Sequence, residues 1–547
     1  MAKLPIGIDL GTTYSAIAKW EVKPNSIDSH VYYINDDSKY EMASKVYYEK
    51  AEHIDAPLTG YDNTYNKKPI IGEPAIGRGI IRPNLYFSAF KRGMDDNAVI
   101  ERDGGFKITP VELSTVVLQK LLAIAEDEEG HGTWVPEGIV VSVPAYFNNR
   151  QNSNTTEAIK NAIKRQFEGR NGYNENIFLR LIPEPVAAGL DYVFQHPNDI
   201  GHGKIVIFDL GGGTFDITIF EVDNDLANRK VTFKTLATDG DDRLGGEDFD
   251  ATLKTFIIED EGYNEAEISN NDARVAFAAK CTTLKCDLSN SESAEISVPY
   301  FIKTQPLEKN VTRKDFEECL AGKRGTRIDY LSDIKDRLTN AFEMAGISFG
   351  EIDRCVLIGG SCKIPCIRRM LEEIFSTTKV VMGRISEGVA RGASLLAAYE
   401  LDKRAIERGE EPKYMCRWNE IIILENTAHN LGVKTNKGYS TIIKQNAATP
   451  ARGIKYFTPT ELSEDGKVAI VQTIDVYQGG GSKWANVGFV KMPTIYTHGR
   501  QPSEIRIQVE FIAESTQVVS KITVEQGNED KTDIVVTETL MLSGSSK

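Results

Sequence analysis

Two stretches, "PIGIDLGTTYS" (residues 5–15) and "IVIFDLGGGTFDI" (205–217), decide the fold. Each is an apolar run that ends in Asp-Leu-Gly, passes through small or hydroxyl residues and turns apolar again. A strand of this kind delivers a carboxylate, Asp9 or Asp209, into a tight turn. There, glycines let backbone N–H groups approach an anion and threonine hydroxyls add donors. Thr12, Thr13 and Thr214 are therefore candidate phosphate contacts. Asp9 and Asp209 suit Mg²⁺, an ion that keeps several waters and takes few carboxylates directly. One Asp-Leu-Gly turn is weak evidence, but two in similar settings could clamp both sides of one polyphosphate.

Two further glycine turns strengthen this reading. "VLIGGSCKIP" (356–365) again follows an apolar run, and "DDRLGGEDFD" (241–250) combines paired glycines with acids. Four such turns in one region describe a ligand gripped from several sides, as when two lobes close on a nucleotide. The chain has no G-x-x-x-x-G-K-[ST], which excludes a P-loop, and "DLGGGT" lacks the dinucleotide-binding register.

From residue 4 to about 400, β-type runs (138–147, 204–210, 354–361) alternate with amphipathic patterns (109–128, 329–346, 387–409), the signature of α/β layers. Pro110 reads as a first-turn proline and Glu112 as an early-turn acid. After about 410 the texture changes to short β-runs at 440–445, 453–458, 467–478, 504–513, 516–526 and 533–542, as in a small antiparallel β-domain. Alternation in "VAIVQTIDV" (468–476) predicts one continuous strand there. The closing "SGSSK" reads as a frayed end. At the change of texture sits "IIIL" (421–424), readable either as a strand of the β-domain or as an apolar linker that docks conditionally on one domain.

With 547 residues, two or more domains are expected. The 41% apolar and 26% charged content is that of an ordinary globular chain. Net charge is −15 with scattered basic residues, which argues against a nucleic-acid partner. No apolar stretch is long enough to span a membrane, and "MAKLPIGIDL" lacks the pattern of a signal peptide. Seven cysteines, among them Cys362 and Cys366, form no zinc-knuckle spacing. Free thiols and a cytoplasmic location are expected, with no metal site built from His and Cys.

The ordered set "IGIDLGTTYS", "VSVPAYFN", "IPEPVAAGLDY", "IFDLGGGTFDITI", "LGGEDFD" and "VLIGGSCKIP" resembles the heat-shock-protein-70 (DnaK-type) chaperone family, within the actin and sugar-kinase ATPase superfamily. The match is strong over 4 to about 400. It continues more loosely through "IIIL" and "LGVKTNKGYSTII" to "DVYQGG". The resemblance implies an α/β actin-like two-lobed ATPase domain (ribonuclease H-like repeats) over 1–410. An interdomain linker at 411–425 and an all-β sandwich for peptide at 426–547, without a helical lid, would follow. It implies ATP/ADP, Mg²⁺ and K⁺ as cofactors, with K⁺ near Tyr14, Thr214 and Asp216. Extended polypeptide, a J-domain co-chaperone and a nucleotide-exchange factor would be the partners.

Residue by residue, the resemblance assigns Gly11, Thr12, Thr13 and Tyr14 to one phosphate loop and Gly212, Gly213 and Thr214 to the other. Asp9 and Asp209 would hold hydrated Mg²⁺. Lys91 in "FSAFKRGM" stands for the catalytic lysine, with Glu184 and Asp216 positioning or deprotonating the attacking water. Adenosine contacts fall to Gly246, Glu247, Lys285, Ser289, Gly359, Gly360, Ser361 and Lys363. At two places where the family commonly carries Arg, this chain has Cys286 and Lys363, which weakens guanidinium stacking. The allosteric set is Pro144, Ile421, Ile422, Ile423, Leu424 and Arg150, the last because Asn152 stands where the switch arginine is expected. The peptide cleft would comprise Leu431, Val433, Phe457 and Ile474, with Asn436 and Thr460 as arch residues. Gln472 replaces a central aliphatic there and makes the pocket more polar. The chief rival function is an ATP-binding regulatory or nucleotide-exchange relative with a degenerate peptide site; a small-molecule kinase is a third.

Overall fold

The computed structural model describes residues 2–23, 26–34, 39–49, 69–102, 105–145, 147–241, 243–268, 271–303, 305–385, 387–427, 429–480, 483–513 and 517–541. The end at 543–547 lies outside the described residues.

The two Asp-Leu-Gly phrases seed two mixed sheets of like topology. In the first the strand order is Phe178–Pro183, Trp134–Val143, Ala2–Asp9, Tyr14–Lys23, Ser26–Val31. In the second it is Val380–Met382, Arg354–Ile358, His202–Leu210, Phe215–Asp225, Lys230–Asp241, Glu420–Leu424. In each, the strand bearing the key aspartate runs parallel to one neighbour and antiparallel to the strand that follows its glycine turn. Ile6, Ile8, Ile205, Val206, Ile207 and Phe208 are fully buried, as expected where helices cover both faces.

Local chemistry sets the element ends. The strand expected at 138–147 runs Trp134–Val143 and stops before Pro144, which has no N–H to pair. The helix expected at 109–128 is Pro110–Glu129. Its start is a capping box: the Thr109 hydroxyl accepts from the Glu112 N–H (3.2 Å) and the Glu112 carboxylate accepts from the Thr109 N–H (2.8 Å). Thr109→Ala removes one half of this exchange and is expected to cost about 1 kcal/mol. A thermal-unfolding midpoint equal to that of the parent protein would contradict it.

Helix Gly388–Glu407 packs against both strand Ala2–Asp9 and helix Glu184–Gln195. Glycine permits the approach: a Cβ on Gly392 would lie 1.8 Å from the Ala187 carbonyl oxygen, and one on Gly7 2.1 Å from the Ser394 nitrogen.

The described C-terminal residues form one two-stranded pair and two four-stranded antiparallel sheets. One is ordered Gly438–Ile443, Asn430–Thr435, Thr473–Gly480, Lys483–Lys491, the other Ala451–Phe457, Ile507–Ala513, Gln517–Val524, Ile534–Met541. Their apolar faces share one core that includes Val476, Phe511, Val518 and Ile522. The continuous strand expected over 468–476 is interrupted: Val468–Ala469 pairs with Ile495–Tyr496, and Thr473–Gly480 begins a new strand in another sheet. The alternation persisted in sequence while the pairing partner changed.

The "IIIL" run is an edge strand, but not of this C-terminal part. Glu420–Leu424 pairs in parallel with Lys230–Asp241, Ile421 opposite Val231 and Ile423 opposite Phe233. Ile421 is buried in the same core as Trp418 and Phe233, and Ile423 packs against that core. All seven cysteines are free thiols, and only Cys286 is exposed. Among the described residues, no helix is long and apolar enough to cross a membrane.

Candidate functional site

The two aspartates of the opening phrases end up facing one lysine. Lys91 lies on the short 3₁₀ turn Phe90–Gly93, is 3% exposed, and donates to Glu184 Oε1 at 2.9 Å. Its ammonium also sits 5.3 Å from the centroid of the Phe147 ring. Glu184 opens helix Glu184–Gln195 directly after Pro183, so strand end and helix start together aim it inward. Asp9 accepts from the Ser142 hydroxyl at 2.8 Å. Burial, then the charge of Glu184, pushes Asp9 up to about 7, against the opposing pull of Lys91 and Ser142. Asp209 is raised well above the usual carboxylate range by burial, then by Glu184, Asp216 and Asp9. Asp216 is itself 1% exposed. Three buried carboxylates, Glu184, Asp209 and Asp216, and the half-buried Asp9 thus gather around one lysine among the described residues, an arrangement that favours an added cation.

Above this cluster the two glycine turns abut. A Cβ on Gly212 would lie 1.8 Å from Thr13 Oγ1, and one on Gly213 2.5 Å from Thr12 Cγ2. The first turn is braced by Ser44, whose hydroxyl donates to the Gly11 carbonyl (2.8 Å) and whose N–H donates to the Thr13 carbonyl (2.8 Å). Thr13 Oγ1 is buried without a hydrogen-bond partner among the described residues, and Tyr14 is 46% exposed at the turn's edge. The second turn is closed by the Gly211 N–H donating to the Thr214 carbonyl at 3.0 Å.

The remaining nucleotide candidates gather on the second sheet's side. Lys285 donates to the Gly246 carbonyl (2.7 Å) and pairs with Asp250 (2.8 Å). The Ser361 hydroxyl donates to the Gly211 carbonyl (2.8 Å). Gly359 has φ +79°, and a Cβ there would press on the Leu210 carbonyl and the Asp209 carboxylate. Gly360 opens the 3₁₀ turn that carries Ser361. Ser289 bonds back to the Lys285 carbonyl, and Lys363 is exposed. Residues that the sequence reading missed complete the group: Ser142, Lys45, Arg92, Asp248, Asp250 and Thr282. Thr282 donates to Asp250 (2.8 Å), and Lys45 faces Glu247 at 3.8 Å. Arg92 was adjacent to Lys91 in a quoted segment, and Asp248, Asp250 and Ser142 also lay in quoted segments, whereas Lys45 and Thr282 carried no local signal.

The strand Glu420–Leu424 leads to a cavity of about 110 Å³, lined by Pro144, Phe147, Asn152, Glu425, Leu431 and others. Burial raises Glu425, and the charge of Arg180 opposes it. Beside it, Asn446 accepts from the Thr238 N–H (3.3 Å), and Asn426 donates to the Leu236 carbonyl (3.2 Å). Arg150 is not brought to this junction. It is exposed at the start of helix Asn149–Phe167, while Asn152 reaches the cavity, so the substitute role expected for Arg150 lacks a contact here. Of the peptide-cleft candidates, Leu431 and Val433 are buried in the β core, and Phe457 and Ile474 flank it. Asn436, Thr460 and Gln472 are exposed.

A paired-sheet fold with a buried acid–lysine cluster under two Gly/Thr turns is the class of a phosphate-handling enzyme. The family model for Hsp70 protein matches residues 5–544. The chain is 30% identical, over 484 residues, to the chaperone protein DnaK of Thermosipho melanesiensis, covering 87% of this chain and 70% of that protein. The chaperone protein DnaK of Thermosipho africanus is 30% identical over the same shares. The chain belongs to the Hsp70 family. It is an ATP-dependent molecular chaperone and an ATPase, and these likenesses do not favour the exchange-factor alternative.

Proposed function

We propose that residues 1–410 are an actin-like, two-lobed ATPase domain, 411–425 a linker, and 426–547 a peptide-binding β-sandwich, with Mg-ATP held between the lobes. Gly11, Thr12, Thr13 and Tyr14 face one side of the phosphates, and Gly212, Gly213 and Thr214 the other. Gly246, Glu247, Lys285, Ser289, Gly359, Gly360, Ser361 and Lys363 border the nucleoside. The orphaned Thr13 hydroxyl and the crowded carboxylates fit a hydrated Mg²⁺ at Asp9 and Asp209, with K⁺ near Tyr14, Thr214 and Asp216. Bound Mg²⁺ supplies neutralisation of phosphate charge. Lys91 positions the transferring phosphoryl group, while Glu184 and Asp216 orient the attacking water and accept its proton. Phosphoryl transfer needs little else from a protein than such positioning.

The observation that carries the coupling is the edge strand Glu420–Leu424. It extends the sheet in which, inward of Lys230–Asp241, the two following strands carry Asp216 and Asp209, so nucleotide chemistry and linker docking share one sheet. The ATP state then holds the linker and the β-sandwich docked; release lets Leu431, Val433, Phe457 and Ile474 reorganise around an extended peptide. A J-domain co-chaperone and a nucleotide-exchange factor act on the two ends of the cycle. The test is steady-state ATP turnover with and without an unfolded peptide. Turnover should rise with peptide and vanish on Mg²⁺ chelation. Full turnover with no response to peptide would contradict the coupling.

A further inference from the structure

The carbonyls of Gly211, Gly212 and Gly213 each accept hydrogen bonds, and one of the donors, Arg92, is on the first half of the chain. The Gly211 carbonyl accepts from the Gly246 N–H (3.0 Å) and the Ser361 hydroxyl (2.8 Å). The Gly212 carbonyl accepts from the Glu247 N–H (2.7 Å). The Gly213 carbonyl accepts two bonds from Arg92, at 2.9 Å from Nη2 and 3.2 Å from Nε. The same guanidinium donates to Asp248 Oδ2 (2.8 Å) and lies 3.6 Å from Glu247. Asp248 Oδ2 in turn accepts from the Gly245 N–H (2.9 Å), capping helix Gly246–Asp260.

A peptide unit is planar, and in its trans form the N–H points opposite the C=O. Holding the Gly213 carbonyl therefore fixes the direction of the Thr214 N–H, which points away from Arg92. When carbonyls of a turn are drawn to one side, its N–H groups form a concavity for an anion on the other. Three of the four donors to these carbonyls come from the loop's own half and are present whether or not the halves meet. Arg92 alone, on the turn that also carries Lys91, reaches across.

Resting on the nucleotide reading above, we infer that Arg92 is a positioning residue that completes the second phosphate loop only when the two halves close, so that closure sets the loop's affinity for the β- and γ-phosphates. Lys45, 3.8 Å from Glu247, is a charge partner of this clasp without a bond to the loop. Lysine at position 92 keeps the charge but not the forked donor pair, so it cannot hold both the carbonyl and the carboxylate in one plane.

The test compares Arg92→Lys, Arg92→Met and Lys45→Met with the parent protein by calorimetric affinity for ATP, ADP and adenosine, and by ADP release. Loss of a charge-assisted bond is worth about tenfold or more in affinity. Both Arg92 variants are expected to lose about that for ATP and ADP and to release ADP faster, with a distinctly smaller loss for adenosine. Lys45→Met is expected to show a smaller loss for the phosphorylated ligands. Retained adenosine binding reports that each variant is folded. Equal losses for adenosine and ADP, or no loss for any ligand, would overturn the inference. If the parent protein bound neither ATP nor ADP, the nucleotide reading itself would fall instead.

Discussion

Lys91→Ala is expected to abolish ATP turnover while leaving ATP binding in place. The side chain is almost wholly buried and its one strong bond is to Glu184 at 2.9 Å. Around it stand Asp9, Asp209 and Asp216, all drawn together by the strand ends. Removing the ammonium takes away the cluster's positive charge among the described residues and its 2.9 Å bond to Glu184. Loss of a single preorganised charge donor in such a site costs about 10²–10³ in rate. Phosphate release in a single turnover would measure it, with ATP affinity as the check that the fold persists. Turnover within threefold of the parent (about 0.7 kcal/mol in barrier) would remove Lys91 from the chemistry.

Ile421→Asp is expected to detach the strand Glu420–Leu424 from Lys230–Asp241. Ile421 is buried against Trp418 and Phe233, opposite Val231 in a parallel ladder. The substitution forfeits about 2 kcal/mol of apolar burial and places an unpaired carboxylate in the same space, a total of roughly 3 kcal/mol or more. An edge strand five residues long has little else to offset that. The segment before it is held separately, since Trp418 donates to Asn224 (2.9 Å) and Arg229 donates to the Cys416 carbonyl (2.9 Å). Failure should therefore begin at Glu420–Leu424. With ATP, the parent should resist proteolysis in 420–430 and the variant should be cut there, while its nucleotide affinity holds. Equal protection in both would show that the strand pairing does not depend on Ile421.

What could be read from the sequence was whatever depends on neighbours along the chain. An apolar strand, an aspartate and a glycine turn are contiguous, so both strand-and-turn units were visible in "GIDLGTTYS" and "FDLGGGTFD". The capping box at Thr109 and Glu112 was half seen, since the acid was recognised and its exchange partner was not. Contacts between distant segments were invisible. Lys45 and Arg92 meet Glu247 and Asp248 across more than 150 residues of chain, and nothing local marks a lysine as an inter-half ion pair. The "IIIL" run was ambiguous because a short apolar stretch is equally suited to either sheet edge. Its register against Lys230–Asp241 is a tertiary fact. Asn152, rather than Arg150, faces the junction because the helix begins at Asn149 and sets which side each residue takes.

The most direct test of coupling is the affinity of the parent protein for a fluorescent unfolded peptide, measured with ATP and then with ADP. Coupled docking predicts weaker binding with ATP than with ADP, by about tenfold or more. The same affinity in both nucleotides would contradict it.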